Sequence, residues 1–572
     1  MRRNMIRRIR IITGLILLLA LFLVGRLYYI QIVKGAVYTE KAEGQYVQTK
    51  QNLYSRGSIF FTARDGKTVA AASVRSGYVL AINPNLVTDP AGMCSAVSSH
   101  VTITPDKCQE LATLPNRTYV EIEKTLAQEN ADEIAALKLP GVQLYPNQWR
   151  YYPGGPLAAR SIGFVGFTDK SNTELYGKYG LERYYDQVLF KEREVRSINI
   201  FAEIFSNLGE LVYEKDETPQ GNIITTIEPT VARMLDTVLE ETNTTYSSKL
   251  TGAIIMNPQT GEIYAMNAVP SFDLNFRNAS SIEVFQNPLV ENVYEFGSTI
   301  KALTVASGLD SGAITAASTY YDAGEVTLDG STIRNFDGKG RGTVPMQETL
   351  NQSLNTGMAH IVQQMGKEQF RKYFLNFKLG SETGIDLPNE AYGLVENLNS
   401  PRDVEYATAS FGQGIAMTPI AAARALAVLG NGGYLVTPHL ASRIDFDDGT
   451  SREVRYPKGE QVISEETSEE ISRMLVNVVD VALAQGKYSM SHHTIGAKTG
   501  TAQIADPENG GYYEDKYLHS FFGYFPAFDP QFLVFMYTVE PQGVQYASET
   551  LTLPFMNVAK FLINYYNVPP DR

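Results

Sequence analysis

The sequence predicts an α+β chain of two or three domains behind a single membrane-spanning helix, and three observations carry that prediction. With 572 residues the chain is too long for one compact domain. It opens on a long apolar run. Behind that run, short alternating segments bounded by turn residues mix with longer stretches of helical apolar spacing. Hydrophobic residues at 44% and charged residues at 19% describe a globular protein with a sizeable core. A net charge of −13 argues against nucleic acid as a partner.

Arg2, Arg3, Arg7, Arg8 and Arg10 precede an apolar run from Ile11 to Val24, which resumes after Arg26 in Leu27-Tyr28-Tyr29-Ile30. This is long enough for one transmembrane helix over 11–33, with Arg26 and the tyrosines near the far interface. The basic cluster assigns 1–10 to the cytoplasm and everything after about Gln31 to the outside. A cleaved signal peptide is the rival reading. No Ala-x-Ala-like site follows and the apolar character persists too far, so an uncleaved anchor of a single-pass protein is expected.

Residues 34–228 read as an irregular, β-rich module. Arg56-Gly57-Ser58-Ile59 followed by Arg64-Asp65-Gly66 predicts a strand, a turn and a returning strand. Ala131–Leu137 predicts a short helix, Trp149–Gly154 the end of an extended piece, Gly163–Gly166 a buried strand end, and Gly180–Asp186 a helix start. Cys94 and Cys108 both fall on the expected external side. Their spacing fits a small disulfide loop and two free thiols alike. The six histidines form no His-Glu-x-x-His pattern, and neither they nor the cysteines imply a metal. Ile223–Ile227 is an apolar strand, and a helix follows over Val231–Glu241, so the domain boundary is placed at Glu228 and the second domain at 229–572.

The second half begins with a predicted hairpin, Ala253–Met256 and Ile263–Met266 around Asn257-Pro258-Gln259-Thr260-Gly261. Next comes Glu295-Phe296-Gly297-Ser298-Thr299-Ile300-Lys301, with Ile300, Leu303, Val305, Ala306 and Leu309 at the spacing of a buried helix. On that helix Ser298 and Lys301 share one face about a turn apart. A serine hydroxyl is a weak nucleophile until a base takes its proton, and a lysine kept neutral by burial or nearby positive charge can do so. Alone, Ser-x-x-Lys is an ordinary helix start. Here Ser353-Leu354-Asn355 follows in a turn between helices, and then Lys498-Thr499-Gly500-Thr501 on an expected edge strand.

In this order the three motifs resemble the active-site set of the penicillin-binding proteins and serine β-lactamases. Arg56-Gly57, Arg150-Tyr151-Tyr152-Pro153 and Gly180-Leu181-Glu182 resemble the pedestal, or dimerisation-type, module of the class B members. Two departures stand out: Phe296 replaces a common proline, and Arg150 is followed by Tyr-Tyr-Pro. The resemblance implies a transpeptidase domain built on an antiparallel sheet with helices on both faces. It implies Ser298 as nucleophile, Lys301 as its base, Ser353 as proton relay and Asn355 as holder of the substrate backbone. Lys498 and Thr499 would bind the peptide's terminal carboxylate, Gly500 would let a substrate backbone approach, and the Ser298 and Thr501 amides would form the oxyanion hole. Tyr406–Gly414 takes a structural role, with Gly412 and Gly414 allowing a tight backbone path.

The implied activity is peptidoglycan D,D-transpeptidation without a cofactor or metal. Its partners would be D-alanyl-D-alanine stem peptides, β-lactams, the bilayer and a glycan polymerase of the SEDS family. The segment from Lys498 to Tyr512 looks closer to division-type than elongation-type members. A D,D-carboxypeptidase would use the same residues with water as acceptor. A β-lactamase would need a further base, and none is identifiable between Asn355 and Lys498. A scaffold that activates the polymerase is the reading from a different class.

Overall fold

The computed structural model describes residues 2–29, 34, 56–167, 175–190, 219–277 and 282–572. Arg2–Tyr28 forms one helix of 27 residues, about 40 Å long at 1.5 Å per residue. Leu15, Leu17, Leu18, Leu21 and Phe22 on it are each more than half exposed, an apolar surface that the described residues leave uncovered. Among the described residues no helix is long and apolar enough to cross a membrane. Residues 30–33 of the expected anchor lie outside the described residues, as do the side chains of Ile12 and Ile16 and, further on, 35–55 and 191–218 of the expected pedestal.

The first domain carries β1 (Ile59–Thr62), β2 (Thr68–Ile82), β3 (Val120–Leu126), β4 (Val142–Tyr151), β5 (Val165–Phe167), β6 (Leu175–Gly177) and β7 (Gly221–Thr225). β1 and β2 form the predicted antiparallel pair, turning at Gly66 with φ +81°. At its far end β2 enters a second, smaller core, where Leu80 and Ile82 join Met93, Cys94, Val97, Cys108 and Ile134. Cys94 and Cys108 are bonded there as a disulfide, stapling the helix Pro90–Val97 to the helix Pro105–Ala112. Each of these helices starts on a proline, behind a side-chain cap from Asp89 or Thr104.

The pedestal motifs, far apart in sequence, meet at one buried carboxylate. Glu182 accepts from Arg56 Nε at 2.7 Å and from Arg150 Nε at 2.6 Å. Arg56 also donates to the Glu182 carbonyl, and Arg150 to the Gly57 carbonyl. Burial pushes the Glu182 carboxyl up, but the two guanidinium groups outweigh it and hold the group below its usual range. Tyr152 of the same motif joins this centre: its buried hydroxyl lies between Glu182 and the amide of Val165.

The second domain contributes β8 (Leu250–Met256), β9 (Ile263–Val269), β10 (Thr319–Asp322), β11 (Glu325–Leu328), β12 (Ser331–Arg334), β13 (Gly342–Pro345), β14 (Ala441–Phe446), β15 (Ser451–Glu453), β16 (Gly496–Ala505), β17 (Tyr512–Phe525) and β18 (Phe532–Val539). Among the described residues a five-stranded sheet runs β16-β17-β18-β8-β9, antiparallel throughout. Every residue of β18 is buried, so this sheet is covered on both faces. The helices Pro229–Thr245 and Thr552–Tyr566 pack on it and on each other, while Pro419–Ala427 and Glu465–Asn477 pack on β18 and β16.

The two halves are joined more deeply than a boundary at Glu228 suggests. β7 pairs in parallel with β1 on one side and antiparallel with β14 on the other. Among the described residues these pairs let β14 and β15, from 441–453, complete a seven-stranded sheet whose other members come from the first 225 residues.

Candidate active site

Lys301 opens the helix Lys301–Asp310, and Ser298 sits one turn earlier, in a 3-10 turn over Gly297–Thr299. The sequence predicted an uninterrupted helix start. The tighter turn follows from Gly297, whose φ of +57° breaks the helical path before the serine. Ser298 lines a cavity of about 620 Å³ together with Ser353, Asn355, Lys498, Thr499 and Thr501. The fold thus brings all three motifs to one cleft.

Lys301 is fully buried, and its amine donates to the Ser353 carbonyl at 2.5 Å and to Ser353 Oγ at 3.1 Å. Lys498 donates to the same Oγ at 3.1 Å. Burial, and then the neighbouring Lys498, pull the Lys301 amine well below the ordinary lysine range; burial pulls Lys498 down to about 8. Ser353 itself stands at φ +55°, a left-handed conformation that costs a non-glycine residue energy and recurs at functional sites. Asn355 starts the next helix and donates to the Arg334 carbonyl at 2.8 Å.

β16 is the sheet edge, with β17 on one side and no strand on the other among the described residues. Ser520 of β17 reaches the Gly500 carbonyl at 3.3 Å. That carbonyl therefore points toward β17, and in a trans peptide the N–H of Thr501 points the opposite way, into the open edge.

Gly500 also has a reason within the protein that the sequence did not announce. A Cβ there would lie 2.4 Å from the Phe296 carbonyl and 2.4 Å from Ser520 Oγ. The glycine admits the turn that carries Ser298, a contact within the protein itself. Gly412 does the same from the other side: its φ is +80°, a Cβ would lie 2.3 Å from the Gly297 carbonyl, and its own carbonyl accepts from the Gly297 amide. Phe296, where a proline was expected, is fully buried and packs edge-on against Phe535 with ring centroids 4.9 Å apart.

Sequence reasoning passed over the excursion β10–β13. Its buried Asp322 accepts from Asn335 Nδ2, from Thr356 Oγ1 at 2.8 Å and from the Arg341 amide at 3.0 Å. This network fastens the loop holding Phe336 and Arg341, both cavity-lining, to the residue after Asn355. No signal in the sequence marks it, because its members come from separate short strands. Tyr517 and Tyr546 complete the wall in the same unannounced way. Among the described residues no group of three or more His, Cys, Asp or Glu is placed to hold a metal ion.

Two family models match the chain: the penicillin binding protein transpeptidase domain over residues 251–558 and the penicillin-binding protein dimerisation domain over 53–223. The chain is 30% identical to stage V sporulation protein D of Bacillus subtilis over 96% of this chain and 84% of that protein. It is 26% identical to the peptidoglycan D,D-transpeptidase FtsI of Escherichia coli K12 over 99% and 92%. The solved structure of penicillin binding protein 2X from Streptococcus thermophilus superposes with a TM-score of 0.71 at 20% identity, covering 90% of this chain and 80% of that one. The first domain and the motif-bearing second domain together place the chain in the class B penicillin-binding protein transpeptidase family.

Proposed function

We propose that this protein is a peptidoglycan D,D-transpeptidase that works through an acyl-enzyme on Ser298. The observation that carries the reading is the shared contact of Lys301 and Lys498 on Ser353 Oγ beside Ser298. Neutral Lys301 takes the Ser298 proton as Oγ bonds to the carbonyl carbon of a D-alanyl-D-alanine stem peptide. The amides of Ser298 and Thr501 hold the oxyanion. As the peptide C–N bond breaks, the departing D-alanine amine receives a proton through Ser353. An amine of a second stem peptide then attacks the ester, completing the cross-link and freeing Ser298. Asn355 holds the substrate backbone, Lys498 and Thr499 take the terminal carboxylate, and β-lactams enter the same path and stall it as the ester.

The rest of the reading concerns place and partners. The basic cluster and apolar run of the sequence support a single-pass anchor over 11–33, with 1–10 cytoplasmic and the catalytic domain outside. Residues 34–228 are the pedestal and 229–572 the transpeptidase domain, and a SEDS-family polymerase is the membrane partner. The likeness of 498–512 to division-type members supports septal synthesis.

The test is labelling of the full chain with a fluorescent penicillin, followed by peptide mapping. A long-lived adduct on Ser298 that is absent in Ser298→Ala supports the acylating enzyme. Rapid turnover of the adduct would instead indicate hydrolysis, and absence of any adduct on the folded protein would leave the scaffold role.

A further inference from the structure

We propose that Ser520 is a positioning residue for the oxyanion hole, an inference that rests on the acyl-enzyme reading above. Ser520 lies on β17, fully buried. Its hydroxyl donates to the Phe296 carbonyl at 2.7 Å and reaches the Gly500 carbonyl at 3.3 Å. These two carbonyls belong to the two chain segments that supply the oxyanion donors. Phe296 stands two residues before Ser298. The Gly500 carbonyl is the other end of the peptide unit that carries the Thr501 N–H.

One hydroxyl therefore spans both halves of the hole from behind. It sets the spacing between the 3-10 turn and β16, which the bare Gly500 allows to close to contact. Its single proton goes mainly to the Phe296 carbonyl and is shared weakly with the carbonyl of the Gly500–Thr501 peptide; a donor on a carbonyl strengthens the N–H of the same unit as a donor in turn. Ser520 touches no reacting atom. Its effect passes through backbone, and it grows as charge develops on the substrate oxygen, so it belongs to the transition state more than to ground-state binding.

A second bond provides the control. Thr299 Oγ1 donates to the same Phe296 carbonyl at 3.1 Å and is not bonded to Gly500. Thr299→Val removes support from the turn alone, whereas Ser520→Ala removes it from both segments.

The experiment is stopped-flow acylation of the full chain by a fluorescent penicillin, resolving the non-covalent Kd from the acylation rate, with a boronic acid as a reversible tetrahedral mimic. Removing an oxyanion donor outright costs roughly 10²–10³ in rate. Ser520→Ala loosens a donor and is expected to lower the acylation rate about ten-fold, weaken the boronic acid by the same factor, and leave Kd within about two-fold. Ser520→Cys keeps the volume but gives up the strong donor, and it carries the same expectation if the alanine variant does not fold. Thr299→Val is expected to lose less than Ser520→Ala. Unchanged acylation in a folded Ser520 variant, an equal loss in Kd and rate, or an equal effect of Thr299→Val overturns the proposal. If the unmutated chain is itself not acylated at Ser298, it is the acyl-enzyme reading that falls.

Discussion

Lys301 and Lys498 converge on one oxygen: each amine lies 3.1 Å from Ser353 Oγ. Two donors occupy the lone pairs of that hydroxyl, so its own proton is free to point into the cavity. Two ammonium groups cannot share such a site in a buried environment, and the burial of both side chains keeps at least one neutral. On the proposed mechanism, the same three residues would supply a base for Ser298 and a proton for a leaving amine.

The first prediction concerns the cost of that arrangement. Burial lowers Lys498 to about 8 in the folded protein. Between about pH 8 and the unfolded lysine value near 10.4, the unfolded chain binds the extra proton, so stability rises with pH across that window and is lost as pH falls through 8. Lys498→Met should therefore abolish measurable acylation, hold or raise Tm at pH 7, and flatten the rise in stability from pH 8 to 10. Thermal melts of both proteins across this range check it; a variant less stable at pH 7 with an unchanged slope refutes it.

Acylation itself should follow Lys301. Because burial and Lys498 depress its proton affinity, the acylation rate should reach its plateau well below the pH at which an exposed lysine deprotonates. The pH profile of penicillin acylation measures this directly. Lys301→Arg, always protonated, is expected to show no rise in rate at any pH.

Gly500→Ala should act on rate more than on stability. Its Cβ would lie 2.4 Å from the Phe296 carbonyl, so the turn carrying Ser298 must shift by several tenths of an ångström. Displacements on the ångström scale cost about 10²-fold in rate. Acylation kinetics beside a melting curve separate this from unfolding.

The pedestal makes the opposite prediction. Glu182→Gln leaves Arg150 buried without its carboxylate and Arg56 with Asp186 alone. Breaking such a cluster costs about 3–5 kcal/mol, read as a large fall in Tm, with acylation below the melting transition unchanged. Since the two arginines hold Glu182 below its usual range, its contribution is present above the unfolded value and is lost as pH falls through the folded one.

Reduction of Cys94–Cys108, whose partners are 14 residues apart, should remove about 3 kcal/mol. The loss belongs to the small core around β2, so proteolysis within 83–140 should accelerate on reduction while penicillin labelling persists.

Much of the site was readable because its chemistry restricts residue type. Ser298, Lys301, Ser353, Asn355 and Lys498 each need a particular functional group, and their order along the chain carried the resemblance. The elements around them were readable from period and turn residues, as at Gly66 and Asn257–Gly261. What stayed hidden depends on distance in space. Ser520 is an ordinary buried strand residue until Phe296, 224 positions away, is seen beside it. Asp322 gains meaning only from Asn335 and Thr356, and Gly500 only from the turn behind it. The cysteine spacing left two states open, and the packing of two short helices decided between them.

The strand β7 has a mechanical consequence. Held between β1 and β14, it is tied to both domains along its length. A pull or torque on residues near β1 reaches 441–446 through ladder hydrogen bonds loaded across the strands, not through a single covalent link. Strain applied to the first domain at β1 is thus passed directly to a strand of the catalytic half through their shared sheet.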